Sequence, residues 1–345
     1  MSPHSIAPSL IVVSPGFDAV WPFAADHFHA LWRAQGPVTF VRLADDERRP
    51  LGRVVPDLSG VRRLAALKVQ VTADCAAKLT SLREAVISDT YGQDRHSAIE
   101  ALTARGVKVY AQPTEGFWGQ SVAEFGLALT LCGLRRIPQT HHAIITDLSP
   151  WDYDPPNKRG RPGARGHQFG DDARFTSGTL EGKRVRIVGA GNIASRYASF
   201  CHALGADVAA WDPFASEPCF HRAGARREYH LERLVRDAEI FVPMVPLTDS
   251  TRGLVTAALI DALPKGCLVV CVTRMGIVDA AALRRRVLAD ELALAADVFD
   301  VEPLPLTDPL LGRHNVVHTP HNAGRTKQAN ERWAEKLVDQ FEPVP

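Results

Sequence analysis

The stretch KRVRIVGAGNIASRYASFCHALGADVAAWDP (Lys183–Pro213) decides how the rest of the chain is read. A short apolar strand, Val185 to Val188, runs into Gly189-Ala190-Gly191-Asn192-Ile193-Ala194, and a helical pattern begins there. Gly189 permits a tight turn, and Gly191 lets a pyrophosphate approach the backbone at the helix start. Ala194 stands at the third glycine position, which limits only helix–strand packing. A second strand follows and ends on Asp212, 21 residues after Gly191, where an acid is placed to hold ribose hydroxyls. A glycine turn alone would be a feature of any α/β core; with the second strand and the acid it reads as a dinucleotide site, with Asn192 and Ile193 among the cofactor-binding residues. A carboxylate at 212 repels a 2′-phosphate, and the following PFASEP supplies no arginine to receive one. NAD is therefore expected over NADP, although Arg222, Arg226 and Arg227 lie not far downstream.

The same alternation of short apolar runs and helical patterns extends in both directions, which predicts an α/β fold with parallel strands. Upstream, SLIVVSPG, PVTFVRL, VRRLAALKVQV, REAVISD and VKVYAQ read as strands. Helical patterns lie between them, with glycines where C-caps belong. A longer pattern, GQSVAEFGLALTLCGLRRIPQTHHAI, predicts one helix that joins two lobes. Residues 149–175 then break the periodicity with Pro, Gly and charge, including five basic residues in the segment that holds Lys158 and Arg165. This segment reads as a solvated surface loop, or alternatively as a basic arm reaching an anionic substrate or a partner subunit. Downstream, EIFVPMV, CLVVCVT, LALAADVF and NVVHTPH continue the second series of buried strands.

Composition narrows the function classes. The 345 residues are 46% hydrophobic and 23% charged, enough for two domains with proper cores. Forty basic against 39 acidic residues leave a net charge of +1, which gives no pull toward nucleic acid or membrane. No apolar run approaches the ~20 residues of a membrane span, and the N-terminus reads as an entry into a strand, not a signal peptide. Six cysteines without a C-x-x-C pair suggest reduced core thiols and a cytoplasmic protein. Thirteen histidines show no metal-ligand spacing, so no metal is expected.

One further stretch raises a chemical question. In VVCVTRMGIVD (Val269–Asp279) a buried strand ends on Arg274, and a guanidinium buried there needs an anionic partner. With its neighbours this segment resembles the D-isomer-specific 2-hydroxyacid dehydrogenase family. SVAEFGLALTL looks like the family's interdomain helix, VPLTDSTRGLV its PLT…T segment and TRMGIVDAAAL its RG…VD…AL segment. ADVFDVEPLP is similar to its DVF…EP, and NVVHTPHNAG to its TPH.AG. Five motifs in the same order are far more specific than one.

The resemblance implies two Rossmann/flavodoxin-like lobes with parallel sheets, the cofactor lobe inserted into the substrate lobe. The substrate lobe would be 1–115 plus 325–345, and the NAD-binding lobe 116–324. It implies that Arg274 binds the substrate carboxylate as a bidentate partner. His321 would be the general acid/base and Glu302 its paired carboxylate, which stabilises the imidazolium that donates a proton. Asp297 would hydrogen-bond the nicotinamide amide. Val245, Pro246 and Thr251 would line the adenosine end, Val272, Thr273 and Gly324 the nicotinamide end. ISDTYGQD resembles the loop that holds the substrate carboxylate, which brings Tyr91 and Gly92 to the pocket. Phe117 or Trp118 would wall the substrate side chain or simply pack between lobes. Taken singly, Arg274 would be a surface arginine, Glu302-Pro303 a turn, His321 a satisfied core histidine and Asp297 a cap.

The chain departs from the family where Asn usually precedes the arginine by three residues and Gly follows it; here these are Cys271 and Met275. Met275 is therefore expected beside Arg274 as a substrate-contacting residue that sets specificity. The family's frequent histidine before PLT is Met244. The implied activity is NAD-dependent interconversion of a 2-oxo acid and a D-2-hydroxy acid, by a homodimer paired through its cofactor lobes. The alternatives are an NAD(H)-sensing, corepressor-like binding protein and a dehydrogenase for a phospho- or phosphono-substituted 2-hydroxy acid. The chain stops soon after its last helical pattern, so no appended regulatory module is expected.

Overall fold

The computed structural model describes residues 7–88, 96–112 and 116–343. The chain divides into two compact units, residues 1–118 with 325–345 and residues 119–324.

The described residues of the first unit include five strands: β1 (Ser9–Val13), β2 (Val38–Arg42), β3 (Arg63–Leu67), β4 (Glu84–Ile87) and β5 (Lys108–Tyr110). They pair in the order β2-β1-β3-β4-β5, all parallel. This is the flavodoxin-type order. Side-chain alternation sends Leu10, Val12, Leu64 and Ala66 into one apolar cluster and Ile11, Val13, Ala65 and Leu67 into another. Both faces are covered, so β1 and β3 read as unbroken apolar runs where a half-exposed strand would alternate. The helix Lys327–Val338 returns to this unit, where Trp333, Ala334 and Leu337 pack with Phe28 and Trp32 of the helix Ala24–Arg33.

In the second unit the described residues include seven strands: β6 (Arg184–Val188), β7 (Asp207–Trp211), β8 (Arg226–Arg227), β9 (Ile240–Pro243), β10 (Leu268–Cys271), β11 (Ala293–Ala296) and β12 (Val316–His318). The order is β12-β11-β10-β9-β6-β7-β8, again parallel throughout. The strand order reverses between β6 and β9, and in an open parallel sheet ligands bind beyond the carboxyl ends of the strands at that point. β8 was not legible as a strand because two residues are too few to show a period.

The single long helix expected after residue 118 is two helices. Gly119–Arg135 ends at Arg136, which adopts a left-handed φ of 51°, and Ile137–Thr146 begins anew. Pro138 is the cause: it has no N–H to donate to the Leu134 carbonyl, and it disfavours helical geometry before it. The N–H of Gly178 donates to the Leu134 carbonyl instead, at 3.2 Å. The first of the two helices lies on Asn192–Ala203 and on β10 and β11. Gly126 makes that contact close, because a β-carbon there would stand 3.1 Å from Met244 and 3.3 Å from Tyr197.

Candidate active site

The glycine turn follows β6. Gly189 has φ 115°, its N–H donates to the Trp211 carbonyl at 2.7 Å, and a β-carbon on it would stand 2.9 Å from the Met244 carbonyl oxygen. Only glycine fits this crossing of β6 and β9. Gly191 faces open space, with nothing within 4 Å of where a β-carbon would be. The helix Asn192–Ala203 starts there with no side-chain cap, so its first-turn N–H groups and the positive end of its dipole are left for an anion. Asn192 lies against Gly119 and accepts a hydrogen bond from Arg196 at 3.1 Å.

Asp212, just beyond β7, ties this turn to the next. Its Oδ2 accepts from Ala190 N–H at 2.8 Å, and its Oδ1 from Phe214 and Ala215 N–H at 2.9 and 3.1 Å. Two of the three basic residues that follow are engaged: Arg226 pairs with Glu228 at 3.7 Å, and Arg227 pairs with Glu217 at 3.6 Å while lying over the rings of Phe220 and Tyr229.

Beyond β9, Val245 touches the Gly189 turn. Thr251 closes its loop by donating to the Pro246 carbonyl at 2.5 Å and accepting from Thr248 N–H at 2.8 Å. Beyond β10, Val272 and Thr273 are buried, and the Thr273 hydroxyl donates to the Pro243 carbonyl at 3.2 Å, joining the ends of β9 and β10.

Arg274 is exposed, so the burial expected for it does not occur. Its Nη1 donates to the Thr273 carbonyl at 2.7 Å, and among the described residues no carboxylate lies within ion-pair distance. Met275 corrects a second expectation. Its side chain is 6% exposed and packs into the second unit's core with Cys271, Ile277 and Val298. An apolar side chain at the start of the turn Met275–Ile277 is drawn inward by that core, away from the solvent side that Arg274 faces. Cys271 is equally a packing group, its thiol pushed up to about 12 by burial.

The remaining three residues leave β11 and β12. His321 Nδ1 and Glu302 Oε2 are 2.6 Å apart, with 41% and 35% of the side chains exposed. Glu302 Oε1 accepts from Phe299 N–H at 2.8 Å, which aims the other oxygen at the imidazole. Asp297 is fully buried, and its oxygens accept from the Thr319 hydroxyl and from the N–H groups of Asn322 and Ala323. Thr319 falls inside a quoted motif, yet its part in holding Asp297 was not read from the sequence; an acid directly after an apolar strand was the available signal. Gly324 closes the segment.

The structure thus brings the second-unit residues to one edge. Gly189, Asp212, Val245, Arg274, Asp297 and His321 each follow the carboxyl end of a different parallel strand. In the first unit, Trp118 packs with Phe117 and Trp21, ring centroids 4.5 and 5.8 Å away. Tyr91 and Gly92 lie outside the described residues.

Such an edge can take a dinucleotide beside a titratable pair and an unpaired cation. Residues 158–323 match the family model described as D-isomer specific 2-hydroxyacid dehydrogenase, NAD binding domain. A D-3-phosphoglycerate dehydrogenase of Archaeoglobus fulgidus is 32% identical over 252 residues, 72% of this chain and 43% of that protein. The match thus spans less than half the length of that relative. A glyoxylate reductase of Aeropyrum pernix is 30% identical over 247 residues, 68% of this chain and 66% of that one. In fold, the chain is similar to a phosphoglycerate oxidoreductase from Rhizobium etli, with a TM-score of 0.73 at 20% identity over 98% of this chain and 97% of that one. The chain belongs to the D-isomer specific 2-hydroxyacid dehydrogenase family.

Proposed function

We propose that this chain is an NAD-dependent oxidoreductase that interconverts a 2-oxo acid and a D-2-hydroxy acid. The observation that carries the reading is the 2.6 Å His321–Glu302 pair, set on the same sheet edge as the unpaired Arg274 and the glycine turn. When bound, NADH supplies the hydride that reaches the carbonyl carbon. Arg274 holds the substrate carboxylate with its free N–H groups. The His321 imidazolium gives its proton to the carbonyl oxygen, and Glu302 holds the ring and balances its charge. In the oxidative direction the neutral ring takes the hydroxyl proton back.

The residues present fit the cofactor. The open Gly191 and the uncapped helix start suit a pyrophosphate, with Asn192 and Ile193 offering N–H groups. Asp212 suits unsubstituted ribose hydroxyls, and the pairing of Arg226 and Arg227 with glutamates leaves neither free for a 2′-phosphate, so NAD is favoured over NADP. Val245, Pro246 and Thr251 would line the adenosine, and Val272, Thr273, Asp297 and Gly324 the nicotinamide end. A phosphorylated substrate is compatible with the names of the relatives. The basic loop does not argue for one, because the chain leaving it docks at the opposite sheet edge, where Thr176 N–H donates to the Gly266 carbonyl just before β10.

The six cysteines are free, four of them buried, which suits a reducing cytoplasm. Among the described residues no helix is long and apolar enough to cross a membrane. We place the partner, a second copy, on the helix Ile137–Thr146, which buries no residue and exposes Ile137, Ile144 and Ile145. Residues 147–174 that follow carry five acids and five Lys or Arg, a balance that fits a self-complementary contact. Ile145→Asp is expected to convert a dimer to monomer in sedimentation analysis; a wild-type monomer would remove this assignment.

The function is tested by following NADH absorbance with glyoxylate, hydroxypyruvate, bulky 2-oxo acids and phosphonopyruvate. Turnover with at least one, giving the D-hydroxy acid, is expected. Tight NADH binding with no turnover on the whole panel would favour the sensor instead.

A further inference from the structure

We infer that Arg284 is a positioning residue for proton transfer: its guanidinium holds both arms of the exposed loop that carries Glu302, and so keeps that carboxylate against His321. The inference rests on the reading of Glu302 and His321 as the proton-transfer pair.

Glu302 stands on weak ground. Its loop runs from Val298 to Leu310, each 1% exposed and part of the second unit's core. Among the described residues between them no apolar side chain is buried, although Phe299 packs partly on that core. Leu306, near the middle, is 95% exposed. Bonds within the loop are few: Asp308 N–H donates to the Pro305 carbonyl at 2.9 Å, and Phe299 N–H donates to Glu302 Oε1 at 2.8 Å. A segment with so little buried apolar contact opens locally at low cost. A carboxylate 2.6 Å from an imidazole therefore needs an attachment from outside the loop.

Arg284 provides it. The helix Ala280–Leu288 that carries it sends Ala282, Leu283 and Val287 into the same core. Asp279 caps its first turn, accepting from Ala282 N–H at 2.9 Å. From this fixed base Arg284 Nη2 donates to Asp308 Oδ2 at 2.5 Å, and Nη1 stands 3.6 Å from Asp300 Oδ1. Asp300 is two residues before Glu302 and Asp308 six after, so one planar fork holds the loop on both sides. The Asp308 side chain is 8% exposed, and its Oδ1 accepts from Leu310 N–H at 2.9 Å, which joins the clamp to the core anchor. Burial pushes the Asp308 carboxyl up, but the Leu310 N–H and Arg284 outweigh it and leave it below its ordinary 3.8, so it is ionised at neutral pH. An ion pair at a surface is ordinarily worth little. This one is sheltered, hydrogen-bonded, and fastened where the core does not reach.

Arg284→Met keeps the stem and removes the fork. The single-turnover rate of 2-oxo acid reduction should fall ~10–100-fold, the scale of a small misplacement of a reacting group. The NADH dissociation constant should stay within about twofold of wild type, since no cofactor contact is touched. The alkaline limb of kcat/KM for reduction should move to lower pH, because an imidazolium with a less closely held carboxylate gives up its proton sooner. Glu302→Gln alone is expected to lose ~10²–10⁴ in rate. The double variant should be no slower than Glu302→Gln, because Arg284 acts through that residue. A lower Tm with the wild-type rate and pH profile would make Arg284 a purely structural residue and overturn the inference, as would losses that multiply. Full activity of Glu302→Gln would instead sink the reading of the pair, and this inference with it. Should Arg284→Met fail to fold, Asp308→Asn keeps the acceptor for Leu310 N–H and removes one charge of the clamp. A rate loss that does not multiply with Glu302→Gln again supports the role, and an unchanged rate with an unchanged pH profile overturns it.

Discussion

Two arginines of the second unit, placed at different depths in one parallel sheet, have opposite fates. Arg186, in the middle of β6, is 2% exposed and uses its donors within the protein. It donates to Asp237 at 2.9 and 2.7 Å, to the Asp207 carboxylate at 2.9 Å and to the Asp207 and Val185 carbonyls at 2.8 and 3.3 Å. Arg274, beyond the carboxyl end of β10, is exposed and among the described residues donates only to the Thr273 carbonyl before it. A guanidinium has five N–H groups, so the first is saturated and the second is mostly unspent. A cation satisfied by its own fold is structural; one held at the ligand edge with donors to spare is available to an anion from outside. The difference lies in where the strand ends, not in the residue type.

The largest effect that can break this comparison is at the open arginine. Arg274→Leu should lower kcat/KM for the 2-oxo acid by about 10²–10³-fold, since losing one partner of a hydrogen-bonded charge pair costs a few kcal/mol. KM should rise and kcat fall together, while NADH affinity holds. Stability should change by no more than about 0.5 kcal/mol, as for other exposed positions without a partner. Normal kinetics would mean that the free donors meet no substrate, and the assignment would fail. Loss of stability without loss of rate would make Arg274 another Arg186.

The comparison also shows what the sequence could carry. The dinucleotide turn was legible because each of its elements is local: strand, Gly189, Gly191, helix and Asp212 fall within one stretch, and the chemistry follows from backbone approach and charge. Arg274, Glu302 and His321 were legible only through ordered motifs, since what joins them is the adjacency of β10, β11 and β12, which no spacing encodes. The direction in which a side chain points was harder to read. Met275 was expected beside its neighbour in sequence, but a one-residue step in a tight turn put it in the core. Arg136 is similar: Pro138 was visible in the sequence, yet the periodicity on both sides outweighed it. Arg186 went unremarked inside RVRIV, although a charge within a strand covered on both faces has to find partners. Those partners, Asp207 and Asp237, lie 21 and 51 positions away, and only the fold brings them together.

The smaller effects belong to the closed arginine. Arg186→Met fills the same space without the charge, and leaves Asp207 and Asp237, whose side chains are 53% and 50% exposed, to return to water. Breaking a fully buried pair costs ~3–5 kcal/mol, and that half-exposure reduces the expected loss to about 1–3 kcal/mol, with kcat/KM of the folded enzyme within about twofold of wild type. The pH dependence sharpens the cause. The hydrogen bond from Arg186 holds the Asp237 carboxyl below its ordinary 3.8, against an opposing push from burial and with the charge of Arg186 adding to the depression. A carboxyl depressed in the folded state binds fewer protons there than in the unfolded chain. Its stabilisation is therefore present above the ordinary value and is lost as pH falls through the lower folded one. The wild-type midpoint of unfolding should accordingly drop more steeply than that of Arg186→Met below about pH 4, so that the two curves converge in acid. A gap of equal size at neutral and acid pH would show that packing of the arginine stem, and not its ion pairs, is what the sheet draws on.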